Sequence, residues 1–243
     1  MVTEHGSPHD LLAEVRSATE RLTATVERLQ DDRLAEPSLL PGWVRAHVLT
    51  HIARNADGVR NLLLAVRSGV AVRMYASPTA RAADIDAGSS RPPDVIRADA
   101  VESSRRFLLD AECMPADRWH TEIPFSSGGS DPPRVIAGIR PLEMRLREVE
   151  FHHVDLNTGY SFADTPDSLL EHLMADTVRR LGRDGFSVRP MPEKDPDRWI
   201  VESAGESLTV QGAARDVLAW LSGRSDGAGL AIPRSLPAPP SLG

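Results

Sequence analysis

The sequence holds a single cysteine, Cys113. One cysteine excludes an internal disulfide and any cysteine-rich metal site. Its context, LLDAECMPADRW, reads as a helix end entering a loop, where a structural thiol is expected rather than a nucleophile. Any thiol chemistry would then need a thiol supplied from outside. Long hydrophobic runs are also missing: nothing approaches the roughly 18 to 20 apolar residues of a membrane helix. The first residues, MVTEHGSPHDLLAEV, lack the basic start and apolar stretch of a secretory signal, so a cytoplasmic location is expected. A basic stripe is absent as well. Net charge is −7 and the basic residues are scattered singly, which excludes the footprint of a nucleic-acid binder. A small anionic ligand stays open, because it needs only a few arginines placed locally. Internal repeats are lacking.

What is present is ordinary soluble composition, 41% hydrophobic and 26% charged, over 243 residues, enough for one large domain or two modest ones. Residues 9–34 carry Leu12, Val15, Leu22, Val26 and Leu29 at helical intervals and predict an amphipathic helix. EPSLLPG, residues 36–42, is a loop. A second helix is predicted over residues 43–68, with Val44, Val48, Ile52, Val59, Leu62 and Val66 on its stripe. Residues 69–92 show no sustained stripe and read as a long connection, a kind that is often functional. A third helix is expected over residues 93–112 with Val95, Val101 and Leu108 inside, then a second long connection, 114–136, containing FSSGGSDPP. A fourth helix is predicted over residues 137–157, with Leu142, Val149 and Leu156 on one stripe and His152 beside them.

Four long helices joined by extended loops predict a four-helix bundle over residues 1–160. After Gly159 the texture changes. Residues 165–183 and 213–222 look helical, FSVRP, RWIVES and SLTVQG alternate as strands do, and the tail from Ala231 is proline-rich and irregular. Residues 161–243 are therefore expected to form a small α+β domain, making the chain mostly α.

The chemistry-bearing residues sit on two of these helices. His47 and His51 share one face of the second helix, and Glu148 and His152 share one face of the fourth, because residues four apart stack one above the other. A histidine from one helix and the Glu-x-x-x-His pair from the other could meet inside the bundle. Two imidazoles and a carboxylate form a catalytic zinc shell with its fourth position open; calcium or magnesium would want mostly oxygen ligands. The plainer reading is a satisfied core histidine and a helical Glu–His ion pair. Spacing does not choose between His47 and His51. Glu150 and His153 point to other faces and are expected to be solvated, and no chemical role is expected for His5, His9, His120 or His172.

GWVRAHVLTHIARNADGVRNLL, RMYASPTAR, REVEFHHVDL and SGRSDG, colinear over nearly the whole chain, resemble the mycothiol-dependent maleylpyruvate isomerases, part of a wider DinB-like group of metal-binding bundles. HVLTH is shared widely in that group; MYASPTAR combined with REVEFHHVDL and a late GRSDG is much narrower. The resemblance implies a helical bundle with a small α+β domain. It selects His51 over His47 as the metal ligand of the second helix and assigns Glu148 and His152 as the others. The family's functional arginine near the C-terminus matches Arg224, although the family pattern has an extra glycine between that arginine and the serine.

The implied activity is cis–trans isomerisation of maleylpyruvate, the ring-cleavage product of gentisate. Addition of the mycothiol thiolate would remove the double bond's π character and permit rotation, and its expulsion would give fumarylpyruvate. Zinc would bind the sulfur or polarise a substrate oxygen. A dicarboxylate entering a chain of net charge −7 needs arginines, whose planar fork suits carboxylates. Arg224 and Arg81 are the catalytic candidates and Arg54 a cofactor-binding one. An Arg224 on the second domain would put the site in an interdomain cleft. The expected partners are mycothiol and a small dicarboxylate, with no nucleic acid, no membrane and a monomeric chain. The alternatives are a mycothiol-dependent S-transferase of the same group and a non-catalytic metal-binding module.

Overall fold

A computed structural model describes residues 7–126, 134–181, 187–190, 198–203 and 206–231. His5, most of the FSSGGSDPP stretch and the tail beyond residue 231 lie outside the described residues. The chain divides into two compact units, Met1–Gly159 and Tyr160–Gly243.

In the first unit α1 spans Pro8–Arg28. Ser7 starts it with a reciprocal cap: its Oγ accepts from the Asp10 N–H while the Asp10 carboxylate accepts from the Ser7 N–H. Its buried face is Leu11, Val15, Ala18, Thr19, Leu22 and Val26. The helix expected to reach residue 34 stops at Arg28, because the extended Leu29 and Gln30 redirect the chain into a 3₁₀ turn, Asp31–Ala35, that buries Leu34.

Helix α2 spans Arg45–Ser68 and is buried on most sides. The connection expected at residues 69–92 contains a helix, α3, Pro78–Ser89. Ser77 caps it and Pro78 opens it, yet only Ile85 and Gly88 are buried, so it has no stripe to betray it. Helix α4, Pro93–Glu112, forms where expected but with its face one residue out of phase. Ile96, Ala100, Ser103, Phe107 and Ala111 are buried, whereas Val95 is 41% exposed, because the stripe includes small residues that do not register as apolar.

The second long connection also carries regular structure in its described residues, 114–126 and 134–136. A 3₁₀ turn, Ala116–His120, leads into an antiparallel hairpin of β1, Glu122–Phe125, and β2, Arg134–Ala137. Helix α5 then spans Arg140–Asp155. Going round the bundle, α1 contacts α4, α4 contacts α2, α2 contacts α5 and α5 contacts α1, while α3 lies on α2. The two histidine-bearing helices are therefore neighbours.

Arg45 fixes one end of that pair. From the first turn of α2 its guanidinium donates to the carbonyls of Leu156 (2.7 Å) and Asn157 (2.6 Å), satisfying the C-terminal end of α5.

The second unit carries α6 (Asp167–Leu181), an antiparallel sheet in the order β3-β4-β5 (Ser187–Pro190, Arg198–Ser203, Glu206–Gln211) and α7 (Ala214–Leu221). Ala231 bridges to Gln211, extending regular pairing to the start of the tail. A mostly α bundle followed by a small α+β part is the architecture expected from the sequence. Among the described residues, no helix is long and apolar enough to cross a membrane.

Candidate metal centre

Helix α5 places Glu148 and His152 one turn apart on the side facing α2, and His51 of α2 meets them. His51 Nε2 lies 2.8 Å from His152 Nε2 and 3.0 Å from Glu148 Oε2, and His152 Nε2 lies 3.3 Å from the same oxygen. Two nitrogens and one oxygen thus converge on one point, with His51 only 3% exposed. His47 does not join them. Its ring stacks on Trp43 at 6.0 Å and its Nδ1 accepts the Val44 N–H at the start of α2.

Two of the three converging side chains, His152 and Glu148, are oriented from behind. His152 Nδ1 donates to Asp155 Oδ2 at 2.8 Å, which leaves the Nε2 lone pair facing the cluster. Arg147 Nη1 donates to Glu148 Oε1 at 3.2 Å, leaving Oε2 turned inward. Arg81 Nη2 lies 3.0 Å from His51 Nδ1, and Trp43 meets the His51 ring edge-on.

The electrostatics follow from burial and these partners. Burial first, then His152, holds His51 down to about 4, so it is neutral at physiological pH. Burial opposes ionisation of Glu148, yet hydrogen bonds from His152 and His51 hold it well below the usual carboxylate range. Burial pulls His152 down, but Asp155 and Glu148 outweigh it and leave its pKa raised.

Glu150 and His153, expected to be solvated, are buried. Glu150 accepts from Arg21 of α1 at 2.5 Å and His153 Nε2 sits 2.8 Å from Thr25 Oγ1. The reason is that α5 is covered on two sides, by α1 as well as α2.

Arg81 also lies over the Tyr75 ring, 5.5 Å from its centroid. Both line a pocket of about 370 Å³ with Arg54, Asp57, Asn61 and Asp84. Tyr75 rests on the α2 backbone at Gly58, where a β-carbon would come within 2.7 Å of the ring. Arg54 is held by Asp57 (2.8 Å) and Asp99 (3.0 Å). Arg224 belongs to the second unit, just after α7, and its Nη1 donates to the Ser222 carbonyl at 2.6 Å. Cys113 is exposed at the end of α4. Sequence reasoning missed Asp155, Arg147 and Tyr75. The first had a signal, three residues beyond His152 on the same helix; the others had none.

Fold and site together define a class: a helical bundle built around a candidate centre of two imidazoles and one carboxylate. The family model described as the mycothiol maleylpyruvate isomerase N-terminal domain matches residues 15–157, more than half of the chain, and the protein belongs to that family. Two solved structures, one of a mycothiol-dependent maleylpyruvate isomerase and one of its histidine-to-alanine mutant, are similar to this chain. Each has a TM-score of 0.81 at 25% identity, covering 98% of this chain and 100% of the other. A search of curated proteins finds no match.

Proposed function

We propose that this protein is a mycothiol-dependent maleylpyruvate isomerase, working in the cytoplasm on a cis dicarboxylate and returning its trans isomer. The observation that carries the reading is the convergence of His51, Glu148 and His152 on one point, in a chain of this family. The donor set fits a zinc ion: two imidazole nitrogens and one carboxylate oxygen, with His152 and Glu148 turned inward by Asp155 and Arg147, make a three-ligand set of the kind catalytic zinc sites use. Bound there, zinc would supply Lewis-acid activation of a thiol sulfur or a substrate oxygen. Mycothiol would supply the nucleophilic sulfur whose reversible addition to the double bond allows rotation about it.

The chain's own residues supply the rest. His51, Glu148 and His152 hold the metal, Asp155 keeps the His152 proton on Nδ1, and Arg147 engages the outward oxygen of Glu148. Arg81, beside His51, would take a substrate carboxylate in its fork, and Arg224 is the candidate arginine of the second unit. Arg54, fixed between Asp57 and Asp99, contributes with Asp57 and Asp84 a polar wall suited to the hydroxyl-rich part of the thiol cofactor.

The test is a cis–trans isomerisation assay on purified protein with and without mycothiol. Turnover should require mycothiol, leave its concentration unchanged, and scale with about one equivalent of bound zinc. Stoichiometric loss of mycothiol to an electrophile, with maleylpyruvate untouched, would replace this reading by the S-transferase one.

A further inference from the structure

The three candidate ligands come from two helices, so their meeting depends on the separation and register of α2 and α5. Arg45 ties that pair at one end. At the level of the cluster the tie is Arg145, three residues before Glu148 on α5. Its Nη1 donates to the carbonyl of Ile52, the residue after His51, at 3.0 Å and to Asn55 Oδ1, one turn beyond His51, at 2.9 Å. Its Nη2 donates to Ser104 Oγ of α4 at 2.8 Å.

This guanidinium is completely buried, against the Phe107 ring, and its Nε has no hydrogen-bond partner. Among the described residues no carboxylate lies within ion-pair distance of it; of the acidic groups whose charge favours its cationic form, Glu148 comes first. A buried, unpaired cation is a poor way to hold a bundle together, since an apolar side chain of similar volume is often as stabilising or more so. What an apolar side chain cannot do is reach from α5 to two points of α2 on either side of one turn, and set a positive charge behind Glu148.

We propose that Arg145 is a positioning residue for the metal centre, holding His51 at the distance and register that Glu148 and His152 require. The proposal rests on the metal reading of the triad.

The test compares the full-length protein with Arg145→Met, Arg145→Lys, Asn55→Ala and Ser104→Ala. Zinc affinity is measured by competition with a chromophoric chelator, geometry by the visible spectrum of the cobalt-substituted protein, and folding by thermal unfolding of the metal-free form. Arg145→Met is expected to unfold cooperatively yet bind zinc about 10- to 100-fold more weakly, with an altered cobalt spectrum, as for residues that orient metal ligands. Arg145→Lys should fall between, since a point charge cannot make both α2 contacts. Asn55→Ala should weaken binding several-fold and Ser104→Ala should not, which still decides the matter if Arg145→Met does not fold. Wild-type affinity in Arg145→Met, or equal losses in Asn55→Ala and Ser104→Ala, would overturn the proposal while leaving the metal reading intact. A wild-type protein that binds no zinc would instead remove the metal reading itself.

Discussion

Helices α1 and α5 pack against each other in the same bundle, yet they are built on opposite rules. On α1 the buried positions are Leu11, Val15, Ala18, Thr19, Leu22 and Val26, and none of its charged residues is buried, although Arg21 reaches across to Glu150 of α5. On α5 the buried set includes Glu143, Arg145, Arg147, Glu150, His153 and Asp155. The first helix is held by hydrophobic burial, worth roughly 1.5–3 kcal/mol per large side chain. The second keeps charges that each need a partner once water is removed. A helix tolerates so much buried charge only where the charge has a task, and on α5 that task is to hold two candidate ligands and meet a third.

The sharpest way to break this contrast is to remove one residue from each helix. His152→Ala should abolish stoichiometric zinc and lower kcat/KM about 10²- to 10³-fold, the several kcal/mol that metal activation supplies, with the thermal transition kept. Metal analysis alongside turnover checks both halves. Leu22→Ala should behave inversely: denaturant unfolding should show a loss of about 2–5 kcal/mol, while the protein that remains folded binds a full equivalent of zinc. Metal loss in Leu22→Ala at temperatures where it is folded would erase the distinction between the two helices.

A smaller effect sharpens it through pH. The raised pKa of His152 means that the metal-free site keeps a proton at pH values where an ordinary histidine has lost it, and zinc must displace that proton. Zinc affinity should therefore fall by about tenfold per pH unit below the His152 pKa and level off above it. His51, held to about 4, adds nothing until that acidity is reached. In the metal-free protein the sign for stability is opposite: the His152 contribution is complete below the ordinary histidine value and is lost as pH rises through the raised one. Chelator competition and thermal unfolding across that range read the two slopes; parallel slopes would contradict the assignment.

The same two helices show how far the sequence could be read. The long stripes of α1 and α2, and the alternation of β3 to β5, were legible because burial there follows apolar character. The short α3 was not, since two buried positions make no period, and the face of α4 was misphased because Ala100, Ser103 and Ala111 are small. At the site, the Glu148–His152 pair followed from spacing alone. Its meeting with His51 depended on which helices are neighbours, a matter of tertiary contact, and the choice over His47 came from the family resemblance. Glu150, His153 and Arg145 were opaque for a different reason. A charge in a sequence reads as a solvated face, and only the packing of α5 between α1 and α2 turns it inward.

Gly58 extends this to substitutions that look harmless. Alanine is favoured over glycine inside a helix by roughly 1 kcal/mol, so on composition alone Gly58→Ala is an improvement to α2. Here the added methyl would meet the Tyr75 ring, whose seat on the helix backbone holds it beside Arg81 at the pocket wall. The most conservative exchange available to the helix is thus an alteration of the pocket, and a tolerance map drawn from helix propensity would place position 58 on the wrong side of the line.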